Sequence, residues 1–158
     1  GKAPDEVLEE VNQQLCTNNP VDMFVTVWLG ILEISTGRLT CANAGHEYPV
    51  LRRAGGGYEL IRDKHGFILA GMESSRYHDY TLELRPGDEL FVYTDGVPEA
   101  TNTENELFGT ERMVAALNRH TDESVEALLP ALQAELDTFA AGAPQFDDIT
   151  MLAMRYNG

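Results

Sequence analysis

Three turn tetrads, Ser35-Thr36-Gly37-Arg38, Ala54-Gly55-Gly56-Gly57 and Arg85-Pro86-Gly87-Asp88, cut the stretch from Met23 to Asp95 into short β-rich runs. That punctuation predicts consecutive strands joined by tight turns. MFVTVWLGILEI and RLTCANAGH flank the first tetrad and VLRR and YELI the second, so each pair reads as an antiparallel hairpin. YHDYTLEL and ELFVYTD flank the third, where Pro86 and Gly87 fit the two central positions of a type II turn and predict another hairpin. HGFILAGMESS, bracketed by Gly66 and Gly71, reads as a strand or a loop.

On both sides the period changes. GKAPDEVLEEVNQQLCTNN predicts a helix, with Pro4 in its first turn, Asp5, Glu6 and Glu9 near the positive end of the dipole, and Val7, Leu8, Val11 and Leu15 at helical spacing. Asn18, Asn19 and Pro20 stop it. Helical spacing returns over Thr110–His120 and Glu123–Phe139, with Pro130 expected to kink or restart the second helix, and ITMLAMRY ends the chain as a strand. A helix, six or so mostly antiparallel strands, two helices and a last strand make an α+β chain, not a doubly wound α/β one. With 158 residues, 43% of them hydrophobic, and no internal repeat or long linker, residues 1–158 are expected to form a single domain.

The 11 Lys+Arg stand against 26 Asp+Glu, a net charge of −15, which argues against nucleic acid and membrane surfaces as partners. The longest apolar runs, such as Met23 to Trp28, fall short of the ~20 residues of a bilayer span, and no basic segment precedes an apolar one at the N-terminus. Cys16 and Cys41 lack CxxC or zinc spacing and read as plain thiols of a reducing, cytoplasmic setting.

Chemistry is expected at strand ends. Asp95 follows the run Leu90-Phe91-Val92-Tyr93, which would hold its carboxylate at a sheet rim, while Gly96 lets the backbone approach a ligand closely. Asp147 and Asp148 stand at the head of the last strand, where alternation would turn only one of them the same way as Asp95. Clustered carboxylates suit magnesium or manganese rather than zinc. The bland alternatives are a common Asp-Gly turn and a solvated or helix-capping Asp-Asp pair. P-loop, GxGxxG, GxSxG and HExxH signatures are all missing from the sequence, so no organic cofactor is implied. Around these positions, His46 either faces a metal or phosphate or bonds local backbone, and Asn43 reads as fixing a turn or bulge. Glu99 and Asn102 read as loop caps, Asp88 and Asp22 as structural, and Trp28 as sheet packing.

Taken in order, MFVTVWLGILEISTGRLTCANAGHEYPVL, LRPGDELFVYTDGVPEATNTENELFGTERM and FDDITMLAM resemble the later motifs of the SpoIIE/RsbU-type phosphatases, a bacterial branch of the metal-dependent PPM serine/threonine protein phosphatases. The likeness runs from about Ala3 to Tyr156. It implies a β-sandwich of antiparallel sheets flanked by helices, with a two-metal site holding manganese or magnesium, for which Asp95 and the first Asp of DDIT, Asp147, would be ligands. Asp148 would act at most through water. A water activated by the metals would be the nucleophile, so no side chain is assigned that role. Family substrates are phosphorylated anti-sigma-factor antagonists, small STAS-domain proteins, which points to sigma-factor regulation.

The family's earlier D-x-S-G-K-G motif does not occur here, so the resemblance implies a phosphatase domain lacking its N-terminal third and nearly inactive by itself. Sheet edges left open by the missing strands would favour self-association. A non-catalytic, partner-binding module of the same fold is the alternative. An unrelated carboxylate metal-binding β-protein would explain Asp95 and Asp147 but not the ordered run of motifs.

Overall fold

A computed structural model describes residues 1–17 and 19–158. In chain order the elements are α1 (Pro4–Thr17), β1 (Val27–Glu33), β2 (Arg38–Ala44), β3 (Val50–Arg52), β4 (Tyr58–Leu60), β5 (Tyr80–Glu83), β6 (Glu89–Tyr93), α2 (Gly109–Arg119), α3 (Val125–Ala140) and β7 (Met151–Arg155). The fold is α+β, with two antiparallel sheets and three helices. The chain divides into two compact units made of alternating stretches: Gly1–His46, Arg62–Leu84 and Gly158 form the first, Glu47–Ile61 and Arg85–Asn157 the second.

In the first unit the strands are ordered β1-β2-β5, and Leu8 of α1 packs with Ala42, Ala44, Leu69 and Tyr77. The helix face differs from the expected one, because Leu15 is exposed while the polar Asn12 is buried. Asn12 Oδ1 accepts the Ala70 N–H at 2.9 Å and its Nδ2 donates to the Met72 carbonyl at 2.9 Å, which ties the 65–75 loop to α1. That loop is HGFILAGMESS; only isolated bridges, Val25 to Leu69 and Ala44 to Gly66, give it strand character. Of the expected helix stop, Asn18 lies outside the described residues. Asn19 closes the next turn, its side chain exchanging two hydrogen bonds with the Met23 backbone.

In the second unit the order is β4-β3-β6-β7, and α2 and α3 cover a core that includes Phe91, Tyr93, Met113, Leu117 and Leu132. α3 runs through Pro130 without restarting, although this residue has no N–H to donate to the helix ladder.

The third predicted hairpin does not exist. Its turn does, since Asp88 N–H donates to the Arg85 carbonyl at 2.9 Å and Gly87 has φ +91°. However, β5 pairs with β2 in one sheet, whereas β6 lies between β3 and β7 in the other and has no free edge for β5. The turn instead carries the chain from one sheet to the other. The Asp88 carboxylate anchors it, accepting from Arg85 N–H, Ala54 N–H and the Arg53 guanidinium. Burial would raise the Asp88 carboxyl, but these donors outweigh it and hold the group below its ordinary range.

Candidate metal centre

β6 is clamped on both sides, so it delivers its C-terminal end at a fixed place. There Thr94 replaces part of the ladder with its side chain. Thr94 N–H donates to the Thr150 carbonyl at 3.0 Å, Thr150 N–H donates to Thr94 Oγ1 at 3.0 Å, and that hydroxyl donates to the Asp148 carbonyl at 3.0 Å. One threonine therefore brackets the segments that carry Asp95 and Asp147-Asp148. Gly96 tightens the bracket, since a Cβ there would lie 2.5 Å from the Asp148 carbonyl oxygen.

This bracket also corrects the alternation reading. Because the Thr94 hydroxyl takes the place of a backbone acceptor, regular pairing starts at Met151, and Asp147 and Asp148 precede β7 in an irregular segment. Strand alternation does not apply to them. Asp147 Oδ1 accepts the Asp148 N–H at 2.7 Å, and Gln145 Nε2 donates to the Asp147 carbonyl at 2.7 Å. Asp95, Asp147 and Asp148 are all exposed, and among the described residues no Lys, Arg or His forms an ion pair with them.

The donors fit manganese or magnesium in kind, being hard carboxylate oxygens with a backbone carbonyl beside them. They fall short in number: among the described residues no three His, Cys, Asp or Glu side chains form a group able to hold a metal ion, and these ions take about six ligands.

The other sequence candidates are local. Asn43 Oδ1 accepts the His46 N–H at 2.8 Å and its Nδ2 donates to the His46 carbonyl at 3.1 Å, closing a turn whose Gly45 has φ +71°. His46 Nδ1 lies 3.1 Å from Thr26 Oγ1. Asn102 makes a turn as well, with Oδ1 accepting from the N–H groups of Glu104 and Glu106. Glu99 is exposed, its N–H donating to the Asp95 carbonyl.

Two features escaped the sequence. Asp63, between Arg62 and Lys64, has a fully buried side chain that accepts from Asn43 Nδ2 at 3.1 Å and lies 3.3 Å from His65 Nε2. Burial, with the Asp63 carboxylate adding to it, drives the nearby Tyr80 phenol well above its ordinary value against the Trp28 N–H that it accepts. The second is a cleft of about 450 Å³ beside the rim, walled by Gly96, Leu107, Leu136, Phe146 and Ile149. No local signal marks it, because three separated segments build it.

Comparison with known proteins fixes the class. An antiparallel α+β fold of this kind is that of the SiaA PP2C domain of Pseudomonas aeruginosa, which matches with a TM-score of 0.83 at 21% identity over 98% of this chain and 61% of that one. The Stage II sporulation protein E (SpoIIE) family matches residues 1–157. The chain therefore belongs to the SpoIIE family, the SpoIIE/RsbU-type branch of the PPM phosphatases. It is 36% identical over 135 residues to Protein IcfG of Synechocystis sp., covering 85% of this chain and 21% of that protein. It is 24% identical over 160 residues to the phosphoserine phosphatase RsbU of Bacillus subtilis, covering 98% of this chain and 46% of RsbU. The chain thus spans about a fifth and just under half of these curated relatives. Among the described residues no helix is long and apolar enough to cross a membrane.

Proposed function

We propose that the chain is a serine/threonine protein phosphatase domain acting on a regulatory phosphoprotein in the cytoplasm. The supporting observation is the rim itself: in a member of a metal-dependent phosphatase family, Asp95 follows β6 on a segment that Thr94 ties to the Asp147-Asp148 segment, and among the described residues no basic side chain pairs with either carboxylate. Asp95 and Asp147 would hold manganese or magnesium, which would supply electrophilic stabilisation of the phosphoryl oxygens. Thr94 orients both segments, and Gly96 keeps the backbone close to the rim.

Two carboxylates hold a divalent ion weakly. The further ligands would come from a segment carrying the family's D-x-S-G-K-G motif, so this chain alone would turn over slowly and residues 1–158 would be part of one such domain. A phosphorylated STAS-type anti-sigma-factor antagonist is the substrate that the RsbU likeness favours. Among the described strands β1 is the edge of its sheet, pairing with β2, and it shows an exposed Ile31, an edge through which copies of the chain would associate.

Manganese titration by calorimetry, with assays on p-nitrophenyl phosphate and a phosphoserine peptide, tests this reading. The chain, a version extended by the D-x-S-G-K-G segment and the Asp95→Asn variant of each are compared, each also by sedimentation. Metal binding and hydrolysis by the extended version, both abolished by Asp95→Asn, are expected, with association that rises with concentration. An extended version that neither binds metal nor hydrolyses overturns the enzyme reading in favour of a partner-binding module.

A further inference from the structure

The cleft beside the rim shares Gly96, Asp147 and Ile149 with the segments that Thr94 brackets, so it begins where the carboxylates stand. Its walls come from α3, the loop after β6 and the loop before β7, all within the second unit. Leu107 and Phe146, from two different loops, leave much of their surface to solvent, Phe146 being 80% exposed. Apolar side chains held at the mouth of a cleft of about 450 Å³ are the composition of a site that seats an apolar group.

Every ionisable residue lining the cleft is an acid: Glu99, Asp137 and Asp147. Gln133 Nε2 holds Asp137 Oδ1 at 2.9 Å without neutralising it. Arg112, on α2, is not among the lining residues; its guanidinium donates to the Leu107 carbonyl and covers the Phe139 ring. A phosphorylated peptide approaching a chain of net charge −15 meets repulsion unless cations flank its phosphate. Apolar walls and an acidic edge therefore select one kind of occupant.

Resting on the phosphatase reading, we propose that this cleft is the substrate-peptide subsite, which seats an apolar side chain of the phosphoprotein with lysine or arginine next to it. The apolar side chain fills the space between Phe146 and Leu107, and the cation faces Glu99 and Asp137.

The test uses the chain with fluorescein-labelled phosphoserine peptides that carry a leucine flanked by arginines. Binding is read by anisotropy without divalent ions, against peptides with alanine for leucine or glutamate for arginine. The leucine peptide should bind roughly tenfold more tightly than the alanine peptide. Phe146→Ala and Leu107→Ala should each reduce that preference, and Glu99→Gln should reduce the preference for arginine, while Phe67→Ala, an exposed aromatic of the first unit, should change neither. Equal binding of the leucine and alanine peptides, or a preference that survives both Phe146→Ala and Leu107→Ala, overturns the proposal. Turnover of p-nitrophenyl phosphate by the extended version is scored separately. Its absence with the leucine preference intact would overturn the phosphatase reading and leave the cleft as a peptide-binding site.

Discussion

β6 starts on one acid and another, Asp95, follows two residues past its end, and the surroundings of the two are opposite. At the start, Glu89 is 2% exposed and sits in a row across all four strands, with Arg52 opposite on β3, Arg155 opposite on β7, and Tyr58 opposite Arg52 on β4. Arg52 Nη1 donates at 3.1 Å and Arg155 Nε at 2.8 Å, and the Tyr58 hydroxyl also donates to this carboxylate. Just past the other end, Asp95 is exposed beside Asp147 and Asp148, and among the described residues no basic side chain pairs with any of them. The acid buried at the start of the strand is surrounded by cationic donors, whereas the acids past its other end have no basic partner among the described residues. The first arrangement maintains the sheet, and the second leaves room for a cation from outside.

The sharpest way to break this contrast is Glu89→Ala. Removing the buried carboxylate leaves the nearly buried Arg52 and the Tyr58 hydroxyl without their acceptor, while the exposed Arg155 returns to water, so a loss of roughly 3 kcal/mol is expected in urea unfolding. A loss below about 0.5 kcal/mol, the range of ordinary surface changes, would show that the row across the sheet contributes no more than an exposed pair.

A smaller effect appears with pH. Burial would raise the Glu89 carboxyl, but Tyr58 and the two arginines outweigh it and hold the group below its ordinary value, as the turn donors do for Asp88. The unfolded chain then binds more protons through the acid range than the folded one. Stability from both groups is fully present above the ordinary carboxylate range and is lost as pH falls through their depressed folded values. Unfolding midpoints taken from about pH 6 to about pH 3 should fall in wild type, and Glu89→Gln should flatten its share of that slope. An unchanged slope would remove Glu89 as a cause.

What the sequence revealed of this arrangement follows a physical line. Period and turn chemistry are local, so α1, the first two hairpins, both later helices and the type II turn at Arg85-Pro86-Gly87-Asp88 were legible. Partner choice is not local. Nothing in ELFVYTD says that β3 and β7 occupy both its edges, and so the third hairpin was misread. Asp95 and Asp147 stood out because they follow or precede apolar runs, yet the Thr94 hydroxyl that brackets them, and that delays β7 to Met151, is a side chain standing in for backbone. The arginines around Glu89, the burial of Asp63 and the cleft each need a register or three distant segments, which no window of sequence contains.

The smallest expected effect sharpens the other half of the comparison. Without divalent ions, Asp95→Asn and Asp147→Asn should each change unfolding stability by no more than about 0.5 kcal/mol, because both side chains are exposed and have no cation to lose. Any change should be a gain, since each substitution removes one negative charge from a chain of net charge −15, and it should fade as salt screens that repulsion. Adding manganese should then separate the forms. An ion that binds only the folded chain raises its midpoint by mass action, so wild type should rise while the two variants lag behind it. If wild type gains nothing at millimolar manganese, the rim of this chain does not hold the ion by itself, and its three acids are a solvated loop until further ligands are brought to them.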